Sequence, residues 1–234
     1  MQHFDIGIVL IGVNFDLEVC KQTRRQAKKT IGSSSTVGDN CPFIYAIKGK
    51  IDGLHVNMQT IRDLVNPLNT ILDKFIQSQR QKGIIYDLIV PMPSSHRIAD
   101  ILAQRISRKT KAPMDKSLFR KSTVEDVIDI VDINRDIPHS ARMNIFNAIN
   151  QAKDEDKAFS LGDVKTDFRD YVRPLSLVGT LPACERVLLV DDLFASGKTL
   201  VTARDELLDV NPTLTIDSFC LFSPLNNRIR PKKR

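Results

Sequence analysis

The sequence has few cysteines and no long hydrophobic run. Its four cysteines, Cys20, Cys41, Cys184 and Cys220, are scattered and form no Cys-x-x-Cys pair, which argues against a zinc site and a disulfide framework. No apolar run approaches the roughly 20 residues that span a bilayer, and the first ten residues lack the basic stretch of a signal peptide. These absences predict a cytoplasmic protein in a reducing environment, with no membrane partner.

Acidic residues are outnumbered, and the excess of basic residues is placed unevenly. The 234 residues carry a formal net charge of +6, and the hydrophobic share of 42% is that of a globular protein with one or two domains. Basic residues cluster at Lys21–Lys29 and in a tail that ends the chain, with Arg228, Arg230, Lys232, Lys233 and Arg234. Such a tail either binds nucleic acid or is a solvated end.

The stretch Arg186–Leu200 carries the strongest functional signal. Its apolar run Val187–Val190 is what a strand buried on both faces requires, and Asp191 and Asp192 follow at the carboxyl end. A short loop of small and hydroxyl residues then opens a helix, whose first turn offers backbone N–H groups and a positive dipole end. The stretch therefore predicts a phosphate-binding loop. The apolar stripe of the predicted helix consists of Leu200, Ala203, Leu207 and Val210.

Two other interpretations of this stretch are weaker. Gly197-Lys198-Thr199 resembles the end of a Walker A loop, but that motif needs a glycine five residues earlier, and position 192 is Asp. The other alternative is a buried strand that ends in solvated acids and binds no ligand.

The stretch resembles the phosphoribosyl-diphosphate motif of type I phosphoribosyltransferases, which has four apolar residues, two acids and a loop close to Thr-Thr-Gly-x-Thr. Ala195 stands where that family usually has threonine. The resemblance implies that Asp191 and Asp192 are catalytic and orient ribose hydroxyls, directly or through water on a Mg²⁺ cofactor that they hold indirectly. It also implies a binding loop for the 5-phosphate of 5-phosphoribosyl 1-diphosphate (PRPP), formed by Ala195, Ser196, Gly197, Lys198 and Thr199.

A second strand, loop and helix begin at residue 84. The apolar run Ile84–Val90 leads into Val90-Pro91-Met92-Pro93, which is similar to the Val-Pro-x-Pro of the ComF-type branch of the same superfamily. Leu118–Lys121 and Arg142–Phe146 also resemble that branch. The helix that follows the loop is predicted from the apolar spacing of Ile98, Ile101, Leu102 and Ile106. The resemblance implies that pyrophosphate binds to Ser94, Ser95, His96 and Arg97.

The segment Lys121–Asp163 shows no clear core pattern. We expect either a mobile catalytic arm, as the family carries in this region, or a solvated hairpin. Arg120 and Lys121 are the catalytic candidates for contacts to the leaving group, and Arg135 and Arg142 are further candidates.

Strands that alternate with helices predict an α/β fold with a Rossmann-like parallel sheet flanked by helices. The resemblance implies the type I phosphoribosyltransferase fold with an N-terminal hood or extension at 1–60, a core at 61–223 and a basic tail at 224–234. Within this plan Phe43–Ile51 is predicted as a strand. Pro67 predicts a kink or a new helix start within a long apolar stripe of core or homodimer packing.

Three functions remain open from the sequence. The first is an enzyme of nucleotide metabolism that transfers phosphoribose from PRPP to an unidentified acceptor and releases pyrophosphate. The second is a regulator that binds PRPP without turnover. The third is a nucleic-acid-associated effector that uses the basic tail and the Lys21–Lys29 region. The paired acids at a predicted strand end favour the first two.

Overall fold

The computed structural model describes residues 7–8, 47, 56–94, 96–154, 159, 164–194 and 197–222. The basic tail and most of the predicted hood lie outside the described residues. The elements are, in chain order, β1 Gly7–Ile8, α1 Met58–Gln81, β2 Leu88–Pro91, α2 Ile98–Thr110, β3 Phe119–Lys121, α3 Val124–Ile133, α4 His139–Asp154, a 3-10 helix Thr166–Tyr171, β4 Leu175–Leu177, β5 Arg186–Leu193, α5 Lys198–Val210 and β6 Thr215–Phe222.

A parallel sheet in the order β1-β6-β5-β2 forms the centre of the fold. β5 lies between β2 and β6, with Leu88 opposite Val187 and Val190 opposite Phe219. The predicted apolar run in β5 is fully buried, as a central strand with both faces covered requires. The two residues of β1 pair with β6, so the N-terminal segment contributes to this same sheet. The predicted α/β class with a parallel sheet flanked by helices is confirmed.

The two faces of the sheet are covered by different elements. Side chains alternate along each strand, so Leu188 and Val190 face one layer while Val187 and Leu189 face the other. Helices α1 and α2 pack on the first face. Helix α5 packs on the second face, together with the antiparallel pair β3–β4.

The chain reverses its direction across the sheet between β2 and β5. After α2, Met114 forms a parallel bridge to Ile89 on the edge of β2 that faces away from β5, with the Asp115 N–H donating to the Ile89 carbonyl at 3.0 Å. The chain then returns to form β5 on the other side of β2. A reversal of this kind is the topological switch point at which open α/β sheets bind ligands, outside the carboxyl ends of the strands.

The segment after Lys121 is ordered differently from the expectation. Val124–Ile133 and His139–Asp154 form helices α3 and α4, which share a small core with the 3-10 helix, so the predicted solvated hairpin is wrong for these residues. The mobile catalytic arm stays a prediction. The apolar spacing is weak in α4, where three of the five buried residues are alanines, which give a weak periodic signal. The buried residues of the two helices are Val127, Val131, Ala141, Ile145, Ala148, Ile149 and Ala152.

Other expectations fail at single positions. Ile101 is 45% exposed because Ala99 and Ala103 fill the buried face of α2, and Val210 is 57% exposed because it ends α5. Helix α1 runs without a break through Pro67, so no new helix starts there. Ile47, the one described residue of the predicted strand 43–51, is helical. Within the described part of the chain, the helices are too short or too polar to cross a membrane.

Candidate functional site

The two loops identified in the sequence leave neighbouring strands at the same edge of the sheet. Pro91 ends β2 opposite Val190 of β5, and the Met92 N–H donates to the Val190 carbonyl at 2.8 Å. Beyond this hydrogen bond lie two separate segments, residues 92–97 after β2 and residues 191–197 after Val190. We call this region, residues 92–97 and 191–197, the carboxyl edge. It lies at the switch point between β2 and β5.

The two carboxylates at the carboxyl edge, Asp191 and Asp192, belong to the last three residues of β5. Asp191 is half-buried, and its Oδ1 accepts a hydrogen bond from the Asp192 N–H at 2.8 Å, while Asp192 is only 4% exposed. Because successive strand residues point to opposite faces, the two carboxyl groups leave the strand on different sides. Of the two acids, Asp191 is therefore the more accessible at the end of the strand, and Asp192 lies within the packed layer on the other side.

The negative charges of Asp191 and Asp192 affect the neighbouring thiol of Cys220. Cys220 lies opposite Asp191 in the register of β5 and β6. Burial raises the pKa of the Cys220 thiol, and the carboxylates of Asp191 and Asp192 raise it further. The thiol is therefore protonated and inert near neutral pH, since the thiolate is the nucleophilic form.

Gly197 opens helix α5 in a left-handed backbone conformation, with φ +76°. Residues with a side chain rarely adopt this conformation, and glycine adopts it freely. A Cβ at this position would also lie 2.9 Å from the Phe194 ring. The loop therefore needs glycine both for its backbone and for its packing against Phe194, a contact that the sequence did not indicate.

The helices that begin at the carboxyl edge have no side-chain cap. In the described structure, neither Arg97 at the start of α2 nor Gly197 at the start of α5 caps its helix with a side-chain hydrogen bond. Helix α3, which begins elsewhere, has a complete capping box between Thr123 and Asp126. The first N–H groups of a helix need acceptors, and an anion can supply them. Two such helix starts flank the switch point, one on each face of the sheet.

The predicted 5-phosphate loop is only partly described. Ala195 and Ser196 lie outside the described residues, whereas Lys198 and Thr199 form the first turn of α5. The Lys198 Nζ lies 3.3 Å from both the backbone oxygen and the Oδ1 of Asp170 in the 3-10 helix. Asp170 is 28 residues earlier in the chain, and no local pattern pointed to it.

The predicted pyrophosphate loop ends in the first residues of α2. Ser94 Oγ accepts a hydrogen bond from the His96 N–H at 3.3 Å, which tightens the loop before the helix. His96 is half-buried and Arg97 is exposed, so the guanidinium is accessible to solvent beside the helix start. Ser95 lies outside the described residues.

Arg120 and Lys121, the predicted catalytic residues that would contact the leaving group, lie on strand β3. The Arg120 guanidinium forms a two-point ion pair with the Asp126 carboxylate, with Nη2 to Oδ1 at 2.9 Å. Lys121 is exposed. Arg142 also has a local partner, because its Nη2 donates to the Asn134 carbonyl at the end of α3 at 2.9 Å. The observed contacts of the two arginines hold the α3–α4 unit, and their part in chemistry stays a prediction.

The carboxyl edge offers a magnesium ion two acidic side chains, those of Asp191 and Asp192. Among the described residues no group of three or more histidine, cysteine or acidic side chains could hold a metal. Asp191 and Asp192 alone suit Mg²⁺ that takes most of its ligands from phosphate oxygens and water. The two acids could thus hold a metal that arrives with a diphosphate, and not a resident metal in a protein cage.

The comparisons with known proteins identify no relative. Neither a family model, nor a curated protein, nor a solved structure matches this chain.

Proposed function

We propose that the protein binds PRPP at the carboxyl edge and transfers its phosphoribosyl group to an acceptor with release of pyrophosphate. The observation that carries the proposal is the meeting of three features at one switch point: the acid pair that ends β5, the glycine that opens α5 and the uncapped start of α2. PRPP has a 5-phosphate at one end, a diphosphate at the other and a ribose with hydroxyls between them. These three groups correspond to the start of α5, the start of α2 and the acid pair, respectively.

Each group of the ligand has a partner of suitable chemistry. The start of α5, with Gly197 and Thr199, binds the 5-phosphate through backbone N–H groups and a hydroxyl. Asp191 and Asp192 accept hydrogen bonds from the ribose hydroxyls. The start of α2, with His96 and Arg97, binds the diphosphate.

The reaction breaks the bond between the anomeric carbon and the diphosphate, and the transition state resembles an oxocarbenium ion, as in glycoside hydrolysis. Fixing both ends of the ligand holds the ribose for attack, and cations near the diphosphate stabilise the charge that develops on the leaving group. Mg²⁺, when bound with the diphosphate, adds to this charge neutralisation. In the proposed binding mode, the negative charges of Asp191 and Asp192 would also stabilise positive charge on the ribose.

A PRPP-binding regulator without turnover is the second candidate. The ion pair between Arg120 and Asp126 favours it, because the guanidinium proposed for the leaving group is already engaged. Ala195 in place of the family's usual threonine also removes one hydroxyl from the phosphate loop.

The test of this proposal is the double variant Asp191→Asn with Asp192→Asn. We expect the variant to fold and to lose PRPP turnover, measured as pyrophosphate release over a panel of bases and nucleic acids. Asp205→Asn with Asp209→Asn is the matched control, because it removes the same charge from two exposed positions of α5. Wild-type protein that binds PRPP without releasing pyrophosphate supports the regulator. Retained turnover in the folded Asp191/Asp192 variant contradicts both candidates.

A further inference from the structure

The end of helix α2 that lies away from the carboxyl edge carries a cluster of basic side chains. Arg105, Arg108 and Lys109 occupy its last two turns, and Lys111 follows just after the helix. Arg80 of α1 joins them, because its Nη2 donates to the Lys109 carbonyl at 3.0 Å. We call these five residues the basic face. All of them are exposed except Arg105, which is half-buried.

The contacts that hold these side chains leave most of their charge in place. Lys109 Nζ is paired with Asp73 Oδ1 at 2.6 Å on the surface of α1. In contrast, Arg105 Nη1 donates to the neutral side chain of Asn69 at 2.7 Å, and Arg80 donates to a neutral carbonyl. These contacts fix the direction of the two guanidinium groups without cancelling their charge.

Like charges at this spacing destabilise a helix. Arg105 lies three residues before Arg108 and four before Lys109, so the three side chains are neighbours on the helix surface and repel one another. The negative end of the helix dipole offsets part of this repulsion, but the effect falls off within the last turn and does not extend to Arg105. A bound anion that contacts all three cations would remove the repulsion.

Lys111 has a backbone conformation that suits a lysine poorly. Its φ is +70°, in the left-handed region, and it is the one residue other than glycine with a positive φ in the described part of the chain. Its N–H donates to the Ser107 carbonyl at 2.7 Å and so ends the helix, at a position where glycine is usual. Because glycine would adopt this conformation without strain, a use of the lysine side chain explains why a lysine is found there.

The phosphates of a nucleic-acid duplex match this face. About 9 Å of helix axis separates Arg105 from Lys111, and a duplex presents about five phosphate charges over that length. Helix α2 has no aromatic residue on which the bases of a single strand could stack. The exposed residues at this end of α2 are polar, whereas a helix that lies on a membrane needs an apolar face. We propose that the basic face binds the phosphate backbone of a nucleic-acid duplex, independently of base sequence.

This surface is separate from the proposed PRPP site. Helix α2 begins at the carboxyl edge with Ile98 and ends about 18 Å away at Thr110. Duplex binding should therefore survive in the Asp191→Asn, Asp192→Asn variant, and PRPP turnover should survive in variants of Arg108 and Lys111. Failure of one proposal leaves the other standing.

The test measures how the full-length protein binds a short fluorescent DNA duplex, by fluorescence anisotropy over a series of salt concentrations. We expect Arg108→Gln with Lys111→Gln to bind more weakly, and the slope of log affinity against log salt to fall by roughly 0.9 per lost contact, or about 1.8 for both. Duplexes of unrelated sequence should bind equally well, since phosphate contacts carry no sequence information.

Lys116→Gln with Lys165→Gln is the matched control. It removes the same charge from two exposed positions outside the basic face, so it should leave the slope unchanged. Every variant carries the basic tail at 224–234, so any contribution of the tail is the same in all of them.

Lys111→Gly gives a result that a purely structural role of Lys111 would not produce. We expect this variant to be more stable, with Tm raised by about 1–4 °C, because glycine adopts the left-handed conformation without strain. The same variant should bind the duplex more weakly, because one phosphate contact is lost. Stability and binding thus change in opposite directions.

Three outcomes would overturn the proposal. An unchanged salt slope in the Arg108→Gln, Lys111→Gln variant shows that the duplex binds elsewhere on the protein. Tighter binding to vesicles that contain phosphatidylserine than to the duplex shows that the face serves a lipid surface. A lower Tm with unchanged duplex binding in Lys111→Gly shows that this lysine only ends the helix.

Discussion

At the scale of single residues, the acid pair and Gly197 differ in what they contribute. Asp191 and Asp192 follow the buried apolar run Val187–Val190 near the end of β5, so their charges serve no packing purpose that the strand requires. Gly197 is required by geometry, through its positive φ and its contact with Phe194. A variant at Gly197 therefore tests the phosphate loop without changing any charge.

We expect Gly197→Ala to weaken binding of ribose 5-phosphate and PRPP alike. The Cβ must displace the Phe194 ring, which lies two residues after Asp192, and the left-handed backbone costs about 1–2 kcal/mol for a residue with a side chain. Gly83→Ala is the matched control, because Gly83 has φ +69° but no atom within 4 Å of its Cβ position. Both variants should lose stability in urea unfolding, and Gly197→Ala should lose more because its Cβ meets the Phe194 ring. Equal ligand affinity in calorimetry for the two variants would remove Gly197 from the site.

At the scale of elements, the start of α3 shows what Arg120 does in this structure. Thr123 Oγ1 accepts from the Asp126 N–H, and the Asp126 carboxylate accepts from the Thr123 N–H at 2.6 Å and pairs with Arg120. The hydrogen bond from Arg120 holds the pKa of the Asp126 carboxyl well below its usual range. The strand β3 and the helix α3 are thus joined by one ion pair at a cap.

This arrangement predicts a pH-dependent stability. Because the pKa of Asp126 is lower in the folded protein than in the unfolded chain, the carboxylate stabilises the fold above the unfolded pKa of about 3.9. The contribution is lost as the pH falls through the folded pKa. We expect Asp126→Asn to unfold at lower urea than wild type at pH 7, with the difference shrinking below pH 4. A difference that is constant over this range would contradict the assigned pairing.

Thr123→Ala separates the cap from the ion pair. We expect it to cost about 1 kcal/mol of stability, the usual loss for an N-cap threonine, and to leave PRPP turnover intact. If the ion pair with Asp126 is the only role of Arg120, Arg120→Ala should destabilise the protein without affecting turnover. Loss of turnover in Arg120→Ala with normal turnover in Thr123→Ala would instead support the catalytic assignment of Arg120.

At the scale of the whole molecule, the basic tail and the sheet can be tested separately. Strand β6 ends at Phe222, so truncation after Ser223 leaves the sheet whole and removes eleven residues, five of them basic. We expect PRPP binding to survive, because both helix starts of the proposed site come earlier in the chain. If the tail binds nucleic acid, the truncated protein should show lower affinity and a flatter salt dependence, by roughly 0.9 log units of slope per lost phosphate contact on duplex DNA. Loss of PRPP binding in a folded truncation would show that the tail belongs to the site.

The sequence by itself determined that a buried strand precedes each of the two loops and that a helix follows each loop. The strand bounds differ from those predicted, because β2 begins at Leu88 and β5 continues through the acid pair to Leu193. The apolar run before Asp191 and the run before Pro91 each mark a buried strand, and the loops after them are marked by small and polar residues. These signals are local, since each depends on residues within about one turn or one strand of each other. The same locality explains the failures at Ile101 and Val210, where neighbouring alanines or the end of the helix changed which face was buried.

Only the tertiary structure decided how these elements meet. The adjacency of β2 and β5, the bridge from Met114 to Ile89 and the resulting switch point depend on pairing between segments far apart in sequence. The same is true of the core of α3 and α4 and of the pairing of Lys198 with Asp170. Hydrophobic burial is not directional, so a sequence pattern shows that a face is buried without showing which partner buries it. The partner is set by chain connectivity and packing over the whole sheet, and these place the two loops that follow β2 and β5 at one edge of the sheet.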